Sequence, residues 1–315
     1  MTSFLPRFFA IFLISFISYA HAFGSAADSV SAWDFGGMGA LHFNQVTLSN
    51  WAAGGESSFS VLGNVSLHTN YKKGKKSWNN TFDVVYGTVK AGDPNWRKSD
   101  DKFELNIKYG RSASSDWNYS GQFNFRSQFA PTYTIKDNEE IYHSDFLSPG
   151  VVQTSLGMDY KPNQKLSVLI SPLTGKYTIV KNQLLADQGA FGVDKAQTDG
   201  EGSVIAGTGQ HIRKEAGGYV NVRYKEEVLK NVALNTKLDL FSNYVRNTEN
   251  IDVNWENNVN FKVNKFISAS LFLHMIYDDD VLISYDSTGD GNKDSKGPRL
   301  QMKESFGLGL SYKLE

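Results

Sequence analysis

The chain has 315 residues, with 32 Lys and Arg against 33 Asp and Glu, a formal net charge of −1 and no cysteine. This balance gives no electrostatic footprint for nucleic acid, and the lack of cysteine excludes disulfides, a thiol nucleophile and thiolate metal sites. With 15 Tyr, 21 Phe, 28 Gly and only 7 Pro, the composition leans towards an all-β protein rich in aromatics.

Residues 1–22, MTSFLPRFFAIFLISFISYAHA, read as a signal peptide. Arg7 precedes an apolar run from Phe8 to Tyr19, and Ala20-His21-Ala22 supplies a small-x-small cleavage pattern. That run is too short to cross a bilayer as a helix, and no later stretch approaches the roughly 18 apolar residues a membrane helix needs. Residues 23–315 are expected to form one domain.

From Ser57 onward, apolar and polar residues alternate, the mark of strands with one apolar and one polar face. The strands expected in chain order are Ser57–Tyr71, Ser77–Val89, Asp101–Arg111, Trp117–Phe129, Pro149–Tyr160, Leu166–Val180, Arg213–Lys225, Val232–Tyr244, Asp252–Val263, Ile267–Tyr277 and Leu300–Leu314. Pro172 and Gly175 interrupt the sixth. Sandwich strands average about 5 to 6 residues, whereas strands that cross a bilayer need about 9 to 11. These are long enough to cross.

The connections alternate in length. Short turns lie at Lys72–Lys76, Ser112–Asp116, Lys161–Lys165, Glu226–Asn231 and Asn264–Phe266; the intervening connections, notably Ala130–Ser148, Lys181–Ile212 and Asp278–Arg299, are mostly much longer. Short turns on one rim and long loops on the other are typical of outer-membrane barrels. Tyr71, Trp78, Tyr109, Trp117, Tyr160, Tyr224 and Tyr312 sit on the apolar parity beside the short turns, as an interface girdle would. The apolar parity therefore faces lipid and the polar parity the interior. For the last strand to end at the periplasm, an upward strand must precede Ser57. The candidate is Met38–Leu48, which completes a transmembrane antiparallel β-barrel of about twelve strands; the rival reading makes residues 33–56 a periplasmic plug.

The segments LSNWAAGGESSFS (48–60), YKKGKKSWNNTFDVVYG (71–87), WRKSDDKFELNIKYG (96–110), FRSQFAP (125–131), DFLSPG (145–150), SPLTGKYTIV (171–180) and GPRLQMKESFGLGLSYK (297–313) resemble a family of outer-membrane β-barrels from Bacteroidota-type bacteria. That family carries only a domain-of-unknown-function label. The resemblance implies location and architecture, in the outer membrane of a Gram-negative bacterium, and brings no activity and no catalytic residues. Members often end on an aromatic residue, whereas this chain ends Tyr312-Lys313-Leu314-Glu315.

On the interior parity stand Glu104, Lys108, Arg126, Glu215, Arg223, Lys237, Asp239, Glu256 and Lys262. Charges of both signs must pair across the lumen or line water. The outer loop YDSTGDGNKDSKG places Asp286, Asp290, Asn292 and Asp294 at alternate positions around Gly291, as in a Ca²⁺ loop, with Gly297 where a bidentate Glu is usual. A bound Ca²⁺ helped by Asp278, Asp279 or Asp280 and a solvated, turn-forming acidic loop are the two readings. Ser144 beside His143 is no evidence of a triad, and no nucleophile elbow or HExxH is present, so no enzyme is expected. The leading function is a narrow channel for small polar solutes. The alternatives are a non-conducting scaffold that binds an envelope protein through its outer loops and, remotely, an outer-membrane hydrolase. Expected partners are membrane lipid and, during insertion, the barrel-assembly machinery; no cofactor is required beyond the Ca²⁺ in question.

Overall fold

The computed structural model describes residues 32–47, 57–92, 95–136, 139–290 and 294–314. The signal segment, Trp51 and Asn292 lie outside these residues.

Twelve strands form one closed barrel. In chain order they are β1 (Trp33–Val46), β2 (Ser58–Lys73), β3 (Lys76–Ala91), β4 (Arg97–Ser112), β5 (Trp117–Ser127), β8 (Gly150–Tyr160), β9 (Leu166–Ile179), β10 (Ile212–Leu229), β11 (Val232–Asn243), β12 (Asp252–Lys262), β13 (Ile267–Tyr277) and β16 (Gln301–Leu314). The two-stranded hairpins β6 (Thr132–Lys136) with β7 (Glu139–Ser144), and β14 (Leu282–Tyr285) with β15 (Ser295–Pro298), stand in the long connections. Each barrel strand is antiparallel to its neighbours, and β1 pairs with both β2 and β16 to close the ring. The strand expected at Met38–Leu48 thus exists, and the plug reading is set aside. It begins five residues earlier, at Trp33, because Trp33 and Phe35 continue the outward alternation that Leu41 and Phe43 carry. At the other end of β5 the strand stops at Ser127, not Phe129. The Asp101 carboxylate accepts the N–H groups of Phe129 and Ala130 and turns the chain out of the ladder.

Two short turns show why the strands reverse where they do. Lys73 pairs with Lys76, so Gly74 and Lys75 alone make the bend, and Gly74 has the positive φ (57°) that such a hairpin demands. Asn231 does the same between β10 and β11 at φ 66°.

The outer face is apolar: Phe35, Phe59, Phe82, Leu156, Leu173, Trp255, Phe306, Leu308 and Leu310 are all exposed. A soluble monomer rarely exposes so continuous an apolar surface. At the short-turn end, aromatic rings meet in tilted or edge-on contacts from strand to strand. Trp33 lies 5.0 Å from Tyr71, Trp78 6.0 Å from Tyr109, and Trp117 4.9 Å from Tyr160. Tyr224 is half-buried opposite Leu166, and Tyr312 is exposed opposite Gly39.

The wall is irregular where β9 interrupts its alternation. Register shifts occur between Leu156 and Met158 and between Gly217 and Tyr219, on either side of Pro172. A Cβ on Gly217 would stand 2.0 Å from the Ser242 carbonyl oxygen and 2.9 Å from the Phe241 ring, whereas one on Gly39 meets nothing within 4 Å. Gly217→Val is therefore expected to abolish the heat-modifiable folded band in semi-native gel electrophoresis, and Gly39→Ala to leave it intact. Equal folding of both variants would contradict this packing.

Candidate functional site

The interior of the barrel is where the chemistry concentrates, and its charges lie in layers. At mid-height, Lys102 reaches Glu104 at 3.0 Å and Glu256 at 2.8 Å. Lys237 reaches Glu104 at 2.7 Å and Asp239 at 3.6 Å. Around the ring β4 and β12 are six strands apart in either direction and β4 and β11 are five apart. The pairs Lys102–Glu256 and Lys237–Glu104 therefore join opposite walls. Asp239 also accepts hydrogen bonds from Tyr219 (2.5 Å), Asn221 (2.7 Å) and Asn254 (3.0 Å).

Towards the long loops, Lys176 joins Asp252 (2.8 Å) and Glu215 (3.5 Å), and Arg213 joins Glu215 (2.7 Å) and Asp280. Towards the short turns, Asp159 gathers Lys108 and Lys161, each at 3.0 Å. An ionised group left alone in a poorly hydrated interior would be costly, so most of these charges are paired and the rest must meet polar groups or water.

Eight of the nine interior charges expected from parity take part in this polar interior or border it. Glu104, Lys108 and Glu215 are buried, Lys237, Asp239 and Glu256 half-buried, and Arg223 donates to Asn221 at 3.2 Å. Arg126 lines a small cavity. Lys262 is the exception. It is the last residue of β12 and is exposed at the rim, because parity tells which way a side chain points but not how near the strand's end it stands. Parity also overlooks Lys102, Asp159 and Lys176, which hold the three layers together; each sits on the same side as a residue already singled out on its strand or its neighbour.

The opposite part of the wall carries small polar residues. On β1, β2, β13 and β16, the half-buried inward positions include Ala40, Ser60, Asn64, Ser66, Ser270, Ser305 and Ser311. The same strands also turn His42, His274 and Lys303 inward, and Lys303 pairs with Asp100 of β4, so small side chains and charges share this part of the interior.

The outer mouth is partly roofed. Residues of the long connection after β9 pack Val180, Leu185, Ala186 and Val193 into a cluster against Tyr142, Ala190 and Phe191. A short helix, Gln183–Asp187, is capped by Asn182. Gly192 (φ 80°) lies so close to Arg213 that a Cβ would come 2.3 Å from a guanidinium nitrogen, which puts the loop directly over a charge of the mouth.

In the β14–β15 loop, Asp286 accepts from Thr288 N (2.9 Å) and Gly289 N (2.6 Å), and Asp294 from Ser287 N and Oγ, both 2.8 Å. Asp290 is exposed. Asp279 accepts from Asn247 (3.2 Å) and Asn250 (2.6 Å), and Asp280 pairs with Arg213. Among the described histidines, His42 pairs with Asn64 (3.1 Å), His274 with Asn254 (2.6 Å) and His211 with the Val180 carbonyl (2.7 Å), and His68 lies 3.8 Å from the Asp34 carboxylate. Ser144 Oγ is 2.9 Å from both Gln128 and Thr132, while His143 is exposed.

Residues 43–133 match the family described as a protein of unknown function, DUF3078. No curated protein matches the chain. Among solved structures it is similar to an outer-membrane channel, COG4313, from Pseudomonas putida F1, with 12% identity over 93% of this chain and 98% of that one and a TM-score of 0.37. The translocator domain of the autotransporter NalP from Neisseria meningitidis shares 10% identity over 96% of this chain and 95% of that one, at a TM-score of 0.35. The outer-membrane channel DcaP of Acinetobacter baumannii shares 8% over 92% and 99%, at 0.31.

Two outcomes are expected. Lys237→Met removes one bridge between walls and should lower unfolding stability in micelles by about 3 kcal/mol, as breaking a buried pair does. Adding Glu104→Gln should cost less than the two single changes summed, and strict additivity would mean the pair is not coupled. In the roof, the Asp187 carboxylate accepts the N–H groups of Gly207 and Gly209, which hold its pKa below the ordinary 3.8. Its contribution is then present above 3.8 and lost only as pH falls through the lower folded value. The amide NMR shifts of Gly207 and Gly209 should move only below that range, and not at all in Asp187→Asn.

Proposed function

We propose that this protein is an outer-membrane β-barrel acting as a narrow channel for small polar solutes. The observation that carries the reading is a polar, charge-bearing interior enclosed by an apolar outer face. A closed barrel with an apolar outer face and an aromatic girdle suits a bilayer. Inside, paired charges join β4 to β11 and β12, and short Ser, Asn and Ala side chains stand among longer polar ones on the β16–β1–β2 side. Twelve strands lie between small barrels filled by side chains and wide porins with an aqueous channel. Charges of both signs in mutual contact argue against strong ion selectivity.

The bridges between opposite walls also favour a second reading. If they fill the section completely, the barrel is a non-conducting scaffold, and the roofed loops would bind an envelope protein.

Planar-bilayer recording of the refolded chain separates the two. Small, reproducible current steps are expected, and Lys102→Gln with Glu256→Gln should enlarge them by removing a transverse pair. Silence from correctly folded wild-type protein, with current appearing only in the double variant, would turn the reading to the scaffold.

A further inference from the structure

Between β4, β5 and β8 the interior wall carries more hydrogen-bond donors than it has acceptors for. Asn106 stands opposite Asn124, and Asn124 opposite Gln153, so three amides lie side by side across adjacent strands. Arg126 is the next inward residue above Asn124 on β5. These residues border a cavity of about 70 Å³, shared with Glu104, Gln122 and Lys237.

The carboxylates at this cavity have partners, Asp278 accepting the Asp280 N–H at 3.0 Å. Glu104 is held by Lys102, Lys237 and Asn124, Asp239 by Tyr219, Asn221, Asn254 and Lys237, and Asp252 by Lys176. Among the described residues no ion pair reaches the Arg126 guanidinium, although Glu104 is its register partner. The Asn106 Nδ2 and Gln153 Nε2 atoms are buried without a protein partner, and Asn106 as a whole is only 4% exposed. A guanidinium presents up to about five N–H donors in a planar fork. Buried donors of this kind call for an acceptor, and a charged planar acceptor matches the fork best.

We propose that Arg126, Asn106 and Gln153 form a binding site for a small carboxylate solute in the lumen wall. The solute's two oxygens face the Arg126 fork, and the two amides donate to their outer lone pairs. The cavity, about 70 Å³, has room for a carboxylate group. A larger solute would leave its remainder in the open lumen. Gln122 Oε1, also buried without a protein partner, would accept from a hydroxyl on the same solute. As the route by which such a solute crosses the membrane, the site rests on the channel reading; as a binding site it does not.

The test is saturation-transfer NMR of acetate with the refolded full chain in micelles, with folding verified by heat-modifiable mobility. Wild-type protein should give a signal that saturates with acetate. Arg126→Gln should weaken binding by at least about tenfold, as loss of a charge-assisted fork would. Arg126→Lys should fall between, since a point charge lacks the second donor. Gln153→Met, which keeps the volume, should weaken binding without touching the charge. No saturable signal in the wild type, or equal binding in Arg126→Gln, would overturn the proposal and leave the cavity to water. Bilayer current measured on the same preparations distinguishes the two claims. Acetate binding without current would retain the site and refute the channel, and current without acetate binding would do the reverse.

Discussion

Everything in this fold follows from the closure of β1 against both of its neighbours. A sheet whose outer face is apolar cannot leave a row of backbone N–H and C=O groups open on an edge, because nothing on that face would satisfy them. Pairing Gly37–Phe43 with Leu308–Leu314 removes the edge and fixes which parity of every strand is outside. Once that is set, Trp78 and Tyr109 must point outward, Glu104 and Lys237 must point inward, and the interior charges have no solution except one another or water.

The interior meets that demand unevenly. Long side chains from β4, β11 and β12 extend far enough to meet partners on the far wall, so the stems of Lys102 and Lys237 fill space as well as carry charge. Ser, Asn and Ala on β1, β2 and β16 are too short to reach that far, and there it is Lys303 that reaches across, to Asp100 of β4. Long charged and short polar residues on the same parity therefore share the interior, and the bracing across it comes from the few side chains long enough to reach.

Much of this is legible in the amino-acid sequence alone. Period-two alternation marks the strands to within a few residues. The alternation of loop lengths, with the need for an even strand count, points to β1, a segment whose own pattern is too faint to declare itself. Parity also sorts Glu104, Lys108, Arg126, Glu215, Lys237, Asp239 and Glu256 to the inside. It does not give height along the barrel, so it groups Lys262 with residues well above it. Nor does it say which charges meet, since Lys102 and Glu256 are far apart in sequence and on strands that never touch. The paired state of Asp286 and Asp294 depends on loop backbone geometry, which has no periodicity to read. The surplus of donors beside Arg126 is equally hidden, because it depends on Glu104 being taken by lysines from elsewhere.

The seam between β1 and β16 joins seven residue pairs, against sixteen between β2 and β3. It unites the first and last strands of the barrel, so the loop that closes it contains nearly the whole domain, and its entropic cost is met only after every other hairpin is available. Hairpins such as β2–β3 can form as soon as their own residues emerge, but the ring itself cannot begin to close until Leu308–Leu314 arrive. The chain must therefore be held with an apolar face and two bare edges exposed throughout its passage, and the time it spends in that state is set by its final strand.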